Sequence, residues 1–225
     1  MRDKVPFRLR GHEISRVEAF SDVVFGFALT LIVVSLEVPK TFDELMETMR
    51  GFLAFAICFA ILTWVWHAHY TFFRRYALTD EITIALNTTL LFVVLFYIYP
   101  MKFLFSIVTR QIDGGHGDAR MLFLIYGLGF AGIFLVFVLL YLRAWKKRDE
   151  LALTDVERHD TVTSIQMYAS YVGIGLLSAI IGVFGSGFGL AFAGWAYFLI
   201  GPVSALIGAR RGRARRLLEE AYVAA

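Results

Sequence analysis

With 58% hydrophobic and 16% aromatic residues among 225 and a mean hydropathy of +0.66, the chain lies outside the soluble globular range, where apolar residues make up about 45–50%; an integral membrane protein is expected. The formal net charge of +3 does not point to nucleic acid, because the basic residues sit along span edges and in an arginine-rich tail, where anionic lipid headgroups account for them better. Cys58 is the only cysteine, which excludes an intrachain disulfide and a cysteine-based metal site.

Residues 16 to 22 read Arg16-Val-Glu-Ala-Phe20-Ser21-Asp22 and lead into an apolar run that continues through Leu36. Ionisable groups cost roughly 2.5–3.5 kcal/mol at mid-bilayer and less toward the rim, so Arg16 and Asp22 at this mouth demand a reason. No small-residue cleavage site of the signal-peptide form follows, so the first helix is expected to stay in the mature protein. Apolar runs bounded by charges or turn residues predict six spans, at about 17–38, 51–73, 82–108, 120–143, 161–184 and 188–208. The fifth is the weakest, because Thr161, Thr163, Gln166 and Ser170 make its first turns polar. Between the spans, Pro39 breaks the first helix and Thr41 offers an N-cap to a short amphipathic turn. Gly114 to Gly117 reads as a flexible external loop, and Lys146 to Asp160 as a charged internal linker.

Charge asymmetry tests the count. With the N-terminus cytoplasmic, 17 of the 22 basic residues fall on inside segments and five on the other side, as the positive-inside rule requires. Five spans would place the arginine tail outside. The expected fold is therefore all-α, a single six-helix transmembrane domain over residues 1–225 with both termini cytoplasmic. No internal repeat is evident, so symmetry in the active unit would come from oligomerisation.

In the first span Phe27, Thr30, Leu31 and Val34 recur at i, i+3, i+4 and i+7, one stripe of a helix. Ordinary helix packing explains such a stripe. If several copies met on an axis, it would instead form a hydrophobic constriction with a threonine ring for a partly stripped cation.

Arg16-x-x-x-Phe20-Ser21-Asp22 in the first of six helices resembles the signature of the transmembrane protein 175 family, potassium channels of prokaryotes and lysosomes. Trp66-x-x-His69-Tyr70-x-x-Phe73 is similar to that family's Trp-x-x-His-His-x-x-Phe, and Leu86-Asn87, Leu90-Leu91 and Tyr99-Pro100 to its third helix. The last three helices match only by hydrophobic pattern and position. The resemblance implies a homotetrameric, potassium-preferring channel of the prokaryotic plasma membrane, with passive conduction, no re-entrant filter loop and a pore lined by the first helix. Carried over, the narrowest ring falls at Phe27, with Thr30, Leu31 and Val34 as the next pore-facing positions. Potassium would be the permeant ion, with no cofactor. Family members usually carry isoleucine or leucine at Phe27; the larger ring implies a tighter gate, and its face attracts a cation by about 0.5–2 kcal/mol. Tyr70 stands where the family has a second histidine.

Arg16 and Asp22 are six residues apart and do not share a helix face, so a polar network of Arg16, Ser21, Asp22, His69 and Asn87 is expected to hold the first helix in place. The simpler alternative has Arg16 snorkelling to headgroups and Asp22 capping the helix. His67 and His69, two apart, are no metal pair. Gly127-Leu-Gly129-Phe-Ala-Gly132 matches a dinucleotide fingerprint literally, but without a preceding strand it reads as close helix packing, as do Gly182, Gly185, Gly187 and Gly189. Trp66, Tyr70, Tyr97, Tyr99, Tyr141 and Trp145 read mostly as interface anchors, and the Arg210–Arg216 tail as a short helix on an anionic leaflet. The rival functions are a proton-conducting channel or a proton-coupled transporter. No pair of catalytic residues supports an enzyme.

Overall fold

The computed structural model describes residues 7–34, 40–50, 52–108, 119–185 and 188–224, all helix and short connections. The helices are α1 (Arg16–Val34), α2 (Phe42–Arg50), α3 (Phe52–Tyr76), α4 (Glu81–Val108), α5 (Ala119–Lys146), α6 (Asp155–Phe184), α7 (Phe188–Trp195) and α8 (Ile200–Ala224), with a 3-10 turn at Ala196–Leu199 between the last two. Among the described residues, five helices are long and apolar enough to cross a bilayer: Phe55–Tyr76, Glu81–Phe103, Arg120–Lys146, Asp155–Phe184 and Phe192–Ala221. The first expected span runs on into 35–38, outside the described residues; its described part is the 19-residue α1, about 28 Å long at 1.5 Å per residue.

Local chemistry sets the helix ends. Ser15 and Glu18 form a reciprocal box at the start of α1: Glu18 N–H donates to Ser15 Oγ at 3.2 Å and Ser15 N–H to the Glu18 carboxylate at 2.9 Å. Thr41 caps α2, accepting from Glu44 N–H at 3.2 Å. Asp80 precedes α4 and accepts from Thr83 Oγ1 at 2.8 Å and from Arg143 of α5 at 2.9 Å. Thr154 and Glu157 form a second capping box on α6. That box corrects the expected linker: 155–160 is not loop but the first turns of α6, started by Thr154 and running through the polar stretch that weakened the fifth span.

Two groups of helices share one core. α1 lies on α3 and α4; α5 joins α4 to α6, and α6 carries α7, the 3-10 turn and α8. The α5–α6 contact is a glycine-to-backbone approach. A Cβ on Gly127 would sit 2.7 Å from Gly175 O and 2.8 Å from Ala179 N, and one on Gly175 would sit 2.9 Å from Gly127 O, so the two backbones meet where neither side admits a methyl. Gly129 makes room for the Tyr97 ring in the same way. The literal dinucleotide match is thus a packing seam. Gly187 and Gly189 lie outside the residues whose side-chain environment is described.

Three readings are corrected. Tyr97 and Tyr141 are not interface anchors but buried, at 4% and 1% exposure. Tyr141 meets Phe72 at 5.2 Å and Tyr168 at 5.3 Å; a ring near a span end packs inward when its helix face looks into the bundle. The sixth span is not a regular α-helix throughout, because the 3-10 turn interrupts it, although Phe192–Ala221 as a whole remains long and apolar enough to cross. The basic tail is not a separate short helix but the end of α8. Arg211 donates to Thr163 Oγ1 at 3.1 Å and Arg215 to Asp160 at 2.9 Å, so α8 stays docked on α6 past its apolar part.

The segment before α1 straps the base of the molecule. Glu157, 2% exposed, receives Arg8 and Arg10, each at 2.9 Å. Arg10 and Gly11 N–H both donate to Arg74 O, at 3.0 and 3.1 Å, capping the C-terminus of α3.

Replacing Gly127 by leucine is expected to lower the melting temperature of the detergent-solubilised protein, since overpacking against immovable backbone costs about 1–3 kcal/mol. Gly132→Ala, with only Val93 Cγ1 near at 3.7 Å, should leave it unchanged. Burial pushes the Asp80 carboxyl up, but hydrogen bonds from Thr83 and Arg143 outweigh it and hold the group below its ordinary value. Its contribution is complete above the unfolded pKa of about 3.9 and is lost as pH falls through the lower folded value. Melting temperatures measured against pH should therefore fall less steeply on the acid side in Asp80→Asn than in the wild type.

Candidate functional site

The capping box at Ser15 and Glu18 starts α1, and the helix then divides into two faces. Ser21, Phe25, Ala28 and Ile32 are buried, at 2% exposure or less, while Phe20, Val23 and Phe27 are 60% or more exposed. Thr30 is exposed and Leu31 half-buried. Three of the four stripe positions thus lie away from the core that α1 shares with α3 and α4. The Val34 backbone ends α1 on the same register, and its side chain lies outside what is described.

Thr30 has a particular polarity. Its hydroxyl donates to the carbonyl of Phe27 at 2.7 Å, which occupies the hydrogen and leaves the oxygen lone pairs unspent. An exposed hydroxyl in this state is an acceptor, the form that contacts a cation.

The inward face is held by a short buried chain. Ser21 donates to Val17 O at 2.7 Å and accepts from Asn87 Nδ2 at 2.9 Å. The amide oxygen of Asn87 then faces His69 Nε2 at 2.8 Å. Because the amide nitrogen is committed to Ser21, the oxygen must accept, and His69 Nε2 carries the hydrogen. Ser21, His69 and Asn87 are 0%, 1% and 2% exposed, so each answers a desolvation cost for the others. The chain ties α1, α3 and α4 at one point.

Of the five polar residues expected to form a network, the structure brings together Ser21, His69 and Asn87. Asp22 turns to another partner: Trp66 Nε1 donates to Asp22 Oδ1 at 2.8 Å. Trp66 stacks on Tyr70 at 5.8 Å, and Arg74 lies over Tyr70 at 6.0 Å, so Asp22 and Arg74 bracket an aromatic pair along one face of α3. Arg16 stands exposed at the start of α1, apart from both groups. His67 is exposed and His69 is buried, as expected of positions two apart. Among the described residues no group of three His, Cys, Asp or Glu could hold a metal ion.

The Trp66–Asp22 bond and the Glu157 clamp escaped the sequence reading. Trp66 was visible as a motif residue, but its indole reads equally well as an interface anchor. Ser15-x-x-Glu18 and Thr154-x-x-Glu157 are capping-box patterns that could have been found.

The family model described as "Endosomal/lysosomal potassium channel TMEM175" matches residues 16–97, the stretch that holds α1, α3 and most of α4. A potassium channel of Marivirga tractuosa is 39% identical over 233 residues, covering 95% of this chain and 94% of that one. A potassium channel of Chamaesiphon minutus is 30% identical over 177 residues, covering 74% and 82%. Among solved structures, a TMEM175 potassium channel crystallised as a threonine-to-alanine variant with a Nanobody-MBP fusion protein superposes with a TM-score of 0.81. It is 37% identical, over 95% of this chain and 100% of that one. The fold is also similar to a TMEM175 homologue from Chamaesiphon minutus, with a TM-score of 0.59 and 24% identity over 87% and 96%.

Asn87→Ala would leave His69 and Ser21 buried without their shared partner, a loss of about 1–3 kcal/mol. Thermal unfolding in detergent should show it, with Ser21→Ala milder at about 0.5–1.5 kcal/mol; equal melting temperatures for Asn87→Ala and wild type would deny the chain its anchoring role.

Proposed function

The chain belongs to the TMEM175 family, and on that footing we propose that it is a potassium-preferring cation channel that conducts passively. Four copies surround a central pore lined by α1, each with six transmembrane helices and both termini cytoplasmic. Phe27 forms the constriction, with Thr30, Leu31 and Val34 beyond it.

The observation that carries the reading is the division of α1. Its polar and close-packed side is committed to α3 and α4, which leaves Phe20, Val23, Phe27 and Thr30 exposed. A ring of Phe27 side chains on a fourfold axis would exclude water, and a ring of Thr30 oxygens would offer acceptors to a cation that has shed part of its shell. The relatives named as potassium channels support the choice of ion. The ring face of Phe27 adds about 0.5–2 kcal/mol of cation attraction, small beside ion dehydration.

Passive conduction is favoured over a proton-coupled mechanism because the hydrogen bonds of the ionisable groups on α1 and α3 lead to separate partners. Asp22 is answered by Trp66, Glu18 by Ser15 and His69 by Asn87, so among the described residues no hydrogen-bonded relay links them. The exposed arginines Arg210, Arg213 and Arg216 on α8 suit contact with anionic headgroups.

Recording from purified protein in planar bilayers tests this. Phe27→Ala should raise unitary conductance. Thr30→Ala should lower the potassium-over-sodium permeability ratio by about tenfold, equivalent to about 1.4 kcal/mol. If Phe27→Ala, Thr30→Ala and Leu31→Ala all conduct and select as the wild type does, the pore is not at α1. Flux that runs against the potassium gradient in step with protons would replace the channel by a transporter.

A further inference from the structure

Away from α1, a cleft of about 260 Å³ opens between α3, α5 and α6. Trp64, His67, Thr71 and Arg75, three or four residues apart on α3, form one wall. Two contacts fix how α6 faces that wall. Tyr76 and Thr161 share a hydrogen bond at 2.7 Å, and the Trp64 and Tyr171 rings lie 5.6 Å apart. The helices therefore run antiparallel across the cleft: Arg75 stands level with Thr163, and Trp64 with Tyr171. One end is cationic and hydroxyl-rich, the other aromatic.

Among the described residues no ion pair neutralises Arg75 at the cationic end. Two carboxylates at this end of α6 are engaged elsewhere, Glu157 by Arg8 and Arg10 and Asp160 by Arg215. Arg75 rests over the Phe7 ring at 4.9 Å, and among the described residues no carboxylate lies within ion-pair distance of it. Arg211 reaches the same rim, its Nε donating to Thr163 Oγ1 at 3.1 Å. Two guanidinium groups thus flank a polar mouth, and an aromatic slot leads from it along the helices.

We infer that this cleft binds one anionic phospholipid per subunit, with the phosphate held by Arg75 and Arg211 and the first part of one acyl chain lying along Trp64 and Tyr171. Guanidinium groups suit phosphate oxygens because they offer parallel donors in a plane. The volume falls below the roughly 300–1,000 Å³ of sites that enclose a whole drug-sized ligand, which fits an occupant whose remaining chain stays in the bilayer. The headgroup end coincides with the strap of residues 7–11 and the start of α6. The inference concerns lipid binding alone and does not depend on where ions pass.

Native mass spectrometry of the intact detergent-solubilised oligomer, titrated with phosphatidylglycerol or with phosphatidylcholine of the same acyl chains, tests it. The wild type should hold phosphatidylglycerol at least tenfold more tightly. Arg75→Gln should reduce that preference about tenfold, and His67→Trp, which fills the slot between the mouth and Trp64 from an exposed position, should do the same. The pair Arg210→Ala and Arg213→Ala on the outer face of α8 should leave it intact. Equal affinity for the two lipids overturns the proposal, as does wild-type binding in both cleft variants when their melting temperatures show them folded. If the α8 pair alone abolishes the preference, the site is the tail and not the cleft. Displacement of the lipid by soluble glycerol phosphate at matching concentration would assign the cleft to a free phosphate compound instead and overturn the lipid as its occupant.

Discussion

Three side chains in a medium without water decide how α1 is turned. Ser21, Asn87 and His69 are almost fully buried, and each leaves an expensive unpaired group if the others move away. Rotating α1 by one residue would swing Ser21 by about 100° and break the chain at its first link. The helix is therefore held about its own axis by these hydrogen bonds together with the packing of Phe25, Ala28 and Ile32. Which residues of α1 face outward follows from that lock. The Trp66–Asp22 bond ties α1 to α3 a second time, beside the polar chain.

The second half of the subunit is held by a different force. At Gly127 and Gly175 the backbones of α5 and α6 approach until only hydrogen fits between them. In lipid, apolar side chains gain little by leaving their surroundings, so close van der Waals contact does the work that the hydrophobic effect does in water. Beside this seam lies a dense aromatic packing, with Phe134 touching Trp64, Phe130 and Tyr171 at 4.7 to 5.2 Å. One group of helices is thus oriented by polar specificity and the other made rigid by steric contact, with α5 on α4 joining them.

Fold class and most helix boundaries were legible because apolar runs bounded by charge are a direct image of bilayer thickness. Span 82–108 and helix α4, Glu81–Val108, differ by one residue. The break between α7 and α8 was not legible, since Phe188 to Leu199 is apolar throughout and hydropathy carries no record of a change in hydrogen-bond register. Tyr97 and Tyr141 misled for a related reason: a tyrosine near a span's end has the same sequence context whether its face looks to lipid or into the bundle. His69 and Asn87 could be named as partners for the first helix because buried polar groups seek one another. That Asn87 joins Ser21, and that Asp22 goes to a tryptophan 44 residues away, depends on helix rotation, which one sequence does not encode. Arg16, expected in the network, stands outside it.

Residues 8 and 157 are separated by 149 positions, and that distance orders the making of the subunit. When α1 enters the membrane, Glu157 has not yet been synthesised, so its clamp on Arg8 and Arg10 cannot yet form. Trp66 and Asn87 follow with the second and third apolar helices and can grip α1 early, from its side. The foot of α1 is fastened only after α6 has begun, when the long loop between Arg8 and Glu157 closes at a cost already reduced by the helices packed within it. The clamp therefore acts as a late latch, closed on a helix whose orientation has already been chosen.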